Sequence, residues 1–222
     1  VLIVNYKKIM VKDIPKDLFS IFKNNEHYTV LYRQAKKPIK IKFPIILDEN
    51  IAKISAMILD GSLSKNLRTV QFSQKKDPLK AKEFSSILES IFNIKVRIGC
   101  DKKGVYTATS SNRSLCAFLY YILDIYKCDE NTKIPKWVYQ STRKVKREYL
   151  SYAFAMEGSI KDPSTGEREI RFHSCDYCHT QELKLFLKNE FDLNFAFRRY
   201  YVKDYGWKYY LYLNKDEEIS KF

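Results

Sequence analysis

Ile51-Ala-Lys-Ile-Ser-Ala-Met-Ile-Leu-Asp-Gly-Ser62 is an apolar run closed by an acid and a glycine, and Tyr149-Leu-Ser-Tyr-Ala-Phe-Ala-Met-Glu-Gly-Ser-Ile160 repeats its shape. Small and large apolar residues at helical spacing predict a buried helix in each, ended by Gly61 or Gly158. Asp60 or Glu157 then falls in the last helical turn. A carboxylate is disfavoured there, because the helix dipole is negative at that end and apolar neighbours raise the cost of ionisation. A bound cation would relieve the conflict. Two occurrences in one chain point to two related halves, each bringing one carboxylate to a shared centre.

Outward from the first stretch the pattern is regular. Asp48 is placed to cap a helix over about 49–60. Residues 67–73 alternate as a strand, with Arg68, Val70 and Phe72 on one face and Thr69, Gln71 and Ser73 on the other. Asp77-Pro78 has the cap and first-position residues of a helix over about 77–92. Residues 95–100 and 105–110 flank the turn Asp101-Lys-Lys-Gly104 as a hairpin, and a helix over 112–125 closes the unit. The order then recurs after a linker over 132–140: a helix over 142–157, strands over 158–161 and 168–175, a helix over 180–191, a hairpin of 194–203 and 207–213, and a closing helix from near Lys215 that the end of the chain cuts short. The predicted class is α+β, with two pseudo-symmetric αββαββα repeats over 48–131 and 132–222. Residues 1–47 read as a short N-terminal extension: a strand at 1–4, a helix at 16–23, a strand at 28–33 and a basic stretch at 36–42.

With 40 Lys and Arg against 26 Asp and Glu, the formal net charge of the 222 residues is +14. Such an excess favours a polyanionic partner, nucleic acid or an anionic membrane surface. The longest apolar run, 115–125, is interrupted by Asp124, so no stretch is suited to cross a membrane. The N-terminus lacks the charged, apolar and small-residue order of a signal peptide. A cytoplasmic protein with no membrane partner is expected, and its five cysteines read as reduced thiols.

Alternation also marks faces suited to groove or backbone contact with nucleic acid: Thr69, Gln71 and Ser73; Lys95 and Arg97; Glu169, Arg171 and His173; Arg198 and Tyr200; Lys208, Tyr210 and Tyr212. The opposite faces, Val96 and Ile98, Ile170 and Phe172, and Tyr209, Leu211 and Leu213, suit packing against helices. Five strands agreeing, together with the excess positive charge, favour DNA over an ordinary solvated sheet.

The chain resembles the LAGLIDADG homing endonucleases in their single-chain, two-repeat, archaeal or intein-like form. The resemblance covers roughly residues 44–222. It is carried by Pro44-Ile-Ile-Leu-Asp-Glu-Asn-Ile-Ala52 leading into Leu59-Asp-Gly-Ser62, and by Ile134-Pro-Lys-Trp-Val-Tyr-Gln-Ser141 leading into Arg147-Glu-Tyr-Leu150 and Met156-Glu-Gly-Ser-Ile160. It implies a monomer whose two sheets form a DNA-binding saddle, reading consecutive major grooves of a long, weakly symmetric double-stranded target. It implies that Asp60 and Glu157 bind Mg²⁺ or Mn²⁺ for site-specific double-strand hydrolysis, and that Lys75, in Ser73-Gln-Lys-Lys76, is the basic residue near the cleaved phosphate. The matching second-half stretch is Phe172-His-Ser-Cys175, where cysteine supplies no cation, so the two strands are expected to be cut unequally. The alternative reading is a non-cleaving DNA-binding protein, or a maturase-like binder of intron RNA, of the same fold.

The family's motif helices usually carry small residues five before and one before the acid. Here those positions hold Ser55 and Leu59, and Tyr152 and Met156, which leaves Ala56, Ser151, Ala153 and Ala155 as the small residues for a close helix contact. Cys175-Asp-Tyr-Cys178-His179 has the spacing of a haem attachment site and, with His173, some of the ligands of a zinc cluster. With no second ligand pair, it reads instead as a strand-to-helix junction. Three histidines and six glycines form no nucleophile system and no phosphate-cradling loop.

Overall fold

The computed structural model describes residues 19–24 by their backbone, and 27–33, 35–42, 45–75, 77–125, 132–161 and 168–222. The chain divides into two compact units, Val1–Cys128 with Pro135–Tyr149, and Asp129–Ile134 with Leu150–Phe222. No helix among the described residues is long and apolar enough to cross a membrane.

The first unit opens with an antiparallel sheet of β1 (Phe19–Asn24), β2 (His27–Tyr32) and β3 (Ile39–Ile41). The helix expected at 16–23 is therefore corrected to a strand over 19–23, while 16–18 lie outside the described residues. β1 pairs with β2 residue for residue, from Phe19 opposite Tyr32 to Asn24 opposite His27, and this pairing outweighs local helical spacing. The strand expected at 1–4 lies outside the described residues. This sheet is fastened to the repeat behind it. The Tyr32 amide donates to Ser114 Oγ at 3.1 Å, Ser114 Oγ donates to the Lys37 carbonyl at 2.9 Å, and Asn112 Nδ2 donates to the Pro38 carbonyl at 3.2 Å.

The first repeat follows in the expected order: α1 (Glu49–Asp60), β4 (Ser62–Leu63), β5 (Val70–Lys75), α2 (Leu79–Phe92), β6 (Arg97–Cys100), β7 (Val105–Ser110) and α3 (Arg113–Tyr121). Asp48 caps α1 by accepting from the Asn50 and Ile51 amides, and the helix is buried along most of its length. Asp77 Oδ1 accepts from the Leu79 amide at 2.8 Å, starting α2. α3 is shorter than the expected 112–125. Asp124, at φ 53, turns the chain left-handed, the Ile125 amide returns to the Leu119 carbonyl, and Trp137 Nε1 takes the Leu123 carbonyl at 2.8 Å.

A short helix α4 (Lys136–Tyr139) lies within the expected linker, and the unit boundary falls inside α5 (Arg143–Glu157). The second repeat then runs through β8 (Gly158–Lys161), β9 (Glu169–Ser174), α6 (Tyr177–Phe191), β10 (Ala196–Val202), β11 (Gly206–Leu213) and α7 (Asp216–Ile219). The turn expected at 162–167 lies outside the described residues. α6 begins at Tyr177, ahead of the expected 180, because Asp176 Oδ1 accepts from the His179 amide.

The internal repeat extends to topology. One sheet has the order β4-β5-β7-β6 and the other β8-β9-β11-β10, the same pairing between corresponding strands. α2 and α6 also end alike, with Asn93 at φ 49 and Asp192 at φ 57 in the left-handed region, where the short polar side chains of Asn and Asp are tolerated. Each sheet buries one face: Val70, Phe72 and Ala108 in the first, and Ile170, Phe172, Leu211 and Leu213 in the second.

Gly61 and Gly158 are required by close approach. A Cβ on Gly61 would stand 2.0 Å from the Gln71 carbonyl oxygen of β5, and one on Gly158 would stand 2.3 Å from the Phe154 oxygen and 3.1 Å from the Arg171 oxygen of β9. Gly61 therefore admits the backbone of β5, and Gly158 admits the last turn of its own helix and, less closely, β9, where each helix turns into the first strand. Gly61 ends α1 as expected, its amide donating to the Met57 and Ile58 carbonyls at 3.1 Å, but at φ −94 it is not left-handed, so glycine is needed there for space rather than for its φ.

Candidate functional site

Asp60 and Glu157 each close a long helix, α1 and α5, with a glycine and a short strand directly after them. Both are half-buried, and neither helix carries a basic residue in its last turn to offset the dipole. Carboxylate oxygens are the hard donors that Mg²⁺ prefers, and this ion is commonly held by one or two carboxylates together with substrate phosphates and water. The donor chemistry fits. Among the described residues no group of three or more His, Cys, Asp or Glu could hold a metal by itself.

The outward face of the first sheet is built by register. Gln71 lies opposite Ser62 and Thr109, Thr109 opposite Arg97, and Ser73 opposite Thr107. Gln71 Nε2 donates to Ser73 Oγ at 3.0 Å, and Ser73 Oγ lies 3.3 Å from Thr107 Oγ1. Lys75 is exposed at the far end of β5, opposite Val105. Thr69 precedes the strand, its amide donating to Ser64 Oγ at 2.9 Å, and Lys95 lies exposed before β6. Thr107 and Thr109 share this outward face, and the alternation of Val105-Tyr-Thr-Ala-Thr-Ser110 carries the signal for them.

On the second sheet the outward residues form cross-strand rows. Arg198, Tyr210 and His173 make one row, and Tyr212 lies opposite Arg171, which lies opposite Ser159. Tyr210 is the hub. Its ring stacks on His173 at 5.8 Å and 27°, the Arg171 guanidinium lies 5.5 Å from its centroid, and Tyr200 and Tyr212 stand edgewise or tilted at 5.8 Å. Arg198 lies over Tyr212 at 4.8 Å. Arg171 is also ion-paired to Glu169, which is buried, so part of its charge is neutralised within the face.

Burial and the nearby Arg171 charge hold the His173 imidazole below the usual histidine value, with Glu169 opposing. An NMR titration should therefore find His173 titrating below an ordinary histidine. The unfolded chain takes up this proton first as pH falls below about 6.5, so the folded state loses stability from there down through the depressed value. A His173→Gln variant should lack that acid-side loss.

Cys175 supplies no cation of its own, but one stands beside it. Lys208 Nζ, from β11, donates to Cys175 Sγ at 2.8 Å. That contact raises the Lys208 pKa, and the nearby Cys175, Tyr200 and Glu157 add to the rise. A lysine ammonium therefore stands within the electrostatic field of the second motif acid. It comes from a different strand than sequence spacing suggested.

Cys175 and Cys178 are exposed, whereas His179 is buried with its ring 6.0 Å from that of Phe172, so the three are not a ligand set. Burial pushes the Cys116 thiol up to about 12, as suits an inert core residue. Of the small residues expected at a close helix contact, Ala56 and Ala153 are fully buried, but Ser151 and Ala155 are exposed. Ser55 is buried and turns its hydroxyl back to the Ile51 carbonyl at 2.7 Å.

No sequence-family model matches the chain, and no curated protein matches it. Its fold does have solved counterparts. The N-terminal LAGLIDADG domain of DUF199/WhiA superposes with a TM-score of 0.52 at 16% identity, over 80% of this chain and 81% of that one. The homing endonuclease I-DmoI, in complex with its nicked target DNA in the presence of manganese, gives 0.55 at 13% identity over 79% and 93%. The same endonuclease in complex with DNA and calcium gives 0.54 at 14% over 78% and 87%. The fold of this chain is the LAGLIDADG fold.

Proposed function

We propose that this chain, with its LAGLIDADG fold, is a site-specific double-strand DNA endonuclease that depends on a divalent metal. The observation that carries this reading is the duplicated acid: in each repeat a long helix ends in a half-buried carboxylate beside a glycine that only close backbone approach requires. Asp60 and Glu157 would hold Mg²⁺ or Mn²⁺, which when bound activates water and stabilises the leaving oxygen.

The chain's own residues do the rest. The outward faces of both sheets, rich in amide, hydroxyl, imidazole and guanidinium groups, bind and orient the duplex, with a β-ribbon suited to the major groove. Lys75 in the first half and Lys208 in the second place an ammonium against the phosphate being cleaved, offsetting the charge that grows there. A net charge of +14 draws the duplex in and makes affinity fall with salt.

Lys208→Met should slow cleavage of one strand on the order of a hundredfold, as loss of one charge-stabilising donor does, so that nicked plasmid accumulates. Equal rates on both strands would remove Lys208 from this role. The reading as a whole is tested by incubating the protein with a plasmid library and Mg²⁺, Mn²⁺ or Ca²⁺. Linear product in Mg²⁺ supports it, and tight binding with no cutting in any metal overturns it in favour of a non-cleaving nucleic-acid binder. The bulky Leu59, Tyr152 and Met156, where the resemblance calls for small residues, favour that second reading.

A further inference from the structure

The β10–β11 hairpin outruns its sheet. β9 pairs with β11 only from Tyr209 onward, so residues 200–208 form a two-stranded ribbon beyond the third strand. Alternation divides its side chains. Arg198, Tyr200, Lys208 and Tyr210 lie on the face already given to duplex DNA, while Arg199, Tyr201 and Trp207 lie on the reverse face, where the duplex reading gives them no part.

The reverse face is an aromatic strip with a cation set into it. Tyr201 and Trp207 are directly opposed across the hairpin, with ring centroids 5.6 Å apart at 74°, and are 64% and 48% exposed. The Arg199 guanidinium lies 5.0 Å from the Trp207 centroid. Toward the sheet, Phe197 stacks parallel to Tyr209 at 16°, and half-exposed Tyr177 of α6 stands edgewise to both. Rings this large left in water are not core. The hairpin's charges are Arg198, Arg199, Lys203 and Lys208 against Asp204 alone, which matches a polyanion.

We propose that this reverse face binds single-stranded nucleic acid, with unpaired bases stacked on Trp207 and Tyr201 and backbone phosphates taken by Arg199 and Lys203. Bases in a duplex are stacked on one another and offer no free ring face, whereas an unpaired strand does, and stacking on aromatic side chains is tolerant of sequence. The site is separate from the duplex face and from the motif acids. It stands whether or not the protein cleaves DNA.

Tryptophan emission reads the proposal directly, because Trp207 is one of two tryptophans and the other, Trp137, is buried with its Nε1 bonded to a backbone carbonyl. The full chain is titrated with a short oligo(dT), an oligo(U) of equal length, a blunt duplex and heparin. Quenching by the two single strands is expected, with little from duplex or heparin. Tyr201→Ala should weaken single-strand affinity roughly tenfold, the scale of one lost stacked base, and leave duplex affinity unchanged. Equal quenching by heparin, or equal loss of single-strand and duplex affinity in Tyr201→Ala, would overturn the proposal in favour of plain charge attraction. Quenching without nucleic acid that follows self-association in sedimentation would assign the strip to a protein contact instead.

Discussion

Asp60→Asn and Glu157→Gln are each expected to reduce double-strand cleavage on the order of a thousandfold or more while duplex binding survives. Each substitution keeps the size and hydrogen-bonding shape of the side chain and removes the charge that would hold a divalent ion. Each residue is half-buried at the end of its helix, where the macrodipole already opposes a carboxylate. If the acids were only helix-ending residues, removing the charge would leave cleavage intact. Metal-dependent stability supplies a second readout. The uncharged variants should lose any stabilisation that Mg²⁺ gives the parent. Cutting at the parental rate in either variant would exclude that acid from the reaction.

The second large effect is structural. Gly61→Ala should lower stability by about 3 kcal/mol, the upper range for forcing atoms into a packed site, and lower Tm by roughly 10 °C for a chain of this size. The added Cβ would meet the Gln71 carbonyl at 2.0 Å and the Phe72 Cα at 3.2 Å. Both are backbone, so no rotamer change makes room. Either β5 moves off the helix end or the helix end moves off β5, and both shift Asp60. Gly158→Ala meets first the Phe154 carbonyl of its own helix, at 2.3 Å, and then the Arg171 carbonyl of β9, at 3.1 Å, and should also melt below the parent. Gly99→Ala is the control, because nothing lies within 4 Å of its added Cβ, and thermal denaturation of the three variants in parallel decides the point. A Gly61→Ala protein that melts with the parent would refute the steric account.

The outcome at Cys175 shows how far reading along the chain reaches. The spacing from the motif to the end of the matching strand finds Lys75 in the first half and Cys175, which supplies no cation, in the second. Lys208 reaches Cys175 Sγ from another strand, far along the sequence, and only the register of β11 against β9 brings it there. The N-terminal strand β1 is a similar case. Its residues suit a helix by spacing, and a partner strand decides otherwise. The aromatic strip behind the hairpin follows the same rule, since Arg199, Tyr201 and Trp207 look like ordinary strand residues until the ribbon outruns its sheet.

What the sequence determines by itself here is local. Helix starts at Asp48, Asp77 and Asp176 depend on a side chain reaching amides two or three residues ahead, and the buried and outward faces of β5, β9 and β11 depend on a period of two. Such features need only neighbours in the chain, so the αββαββα order and its repetition are legible without coordinates. Tertiary structure decided what depends on two distant segments meeting: why glycine follows each acid, where the second lysine comes from, and which rings stay in water. Those contacts depend on strand register and on backbone approach across the sheet, and neither has a signature in any one stretch of residues.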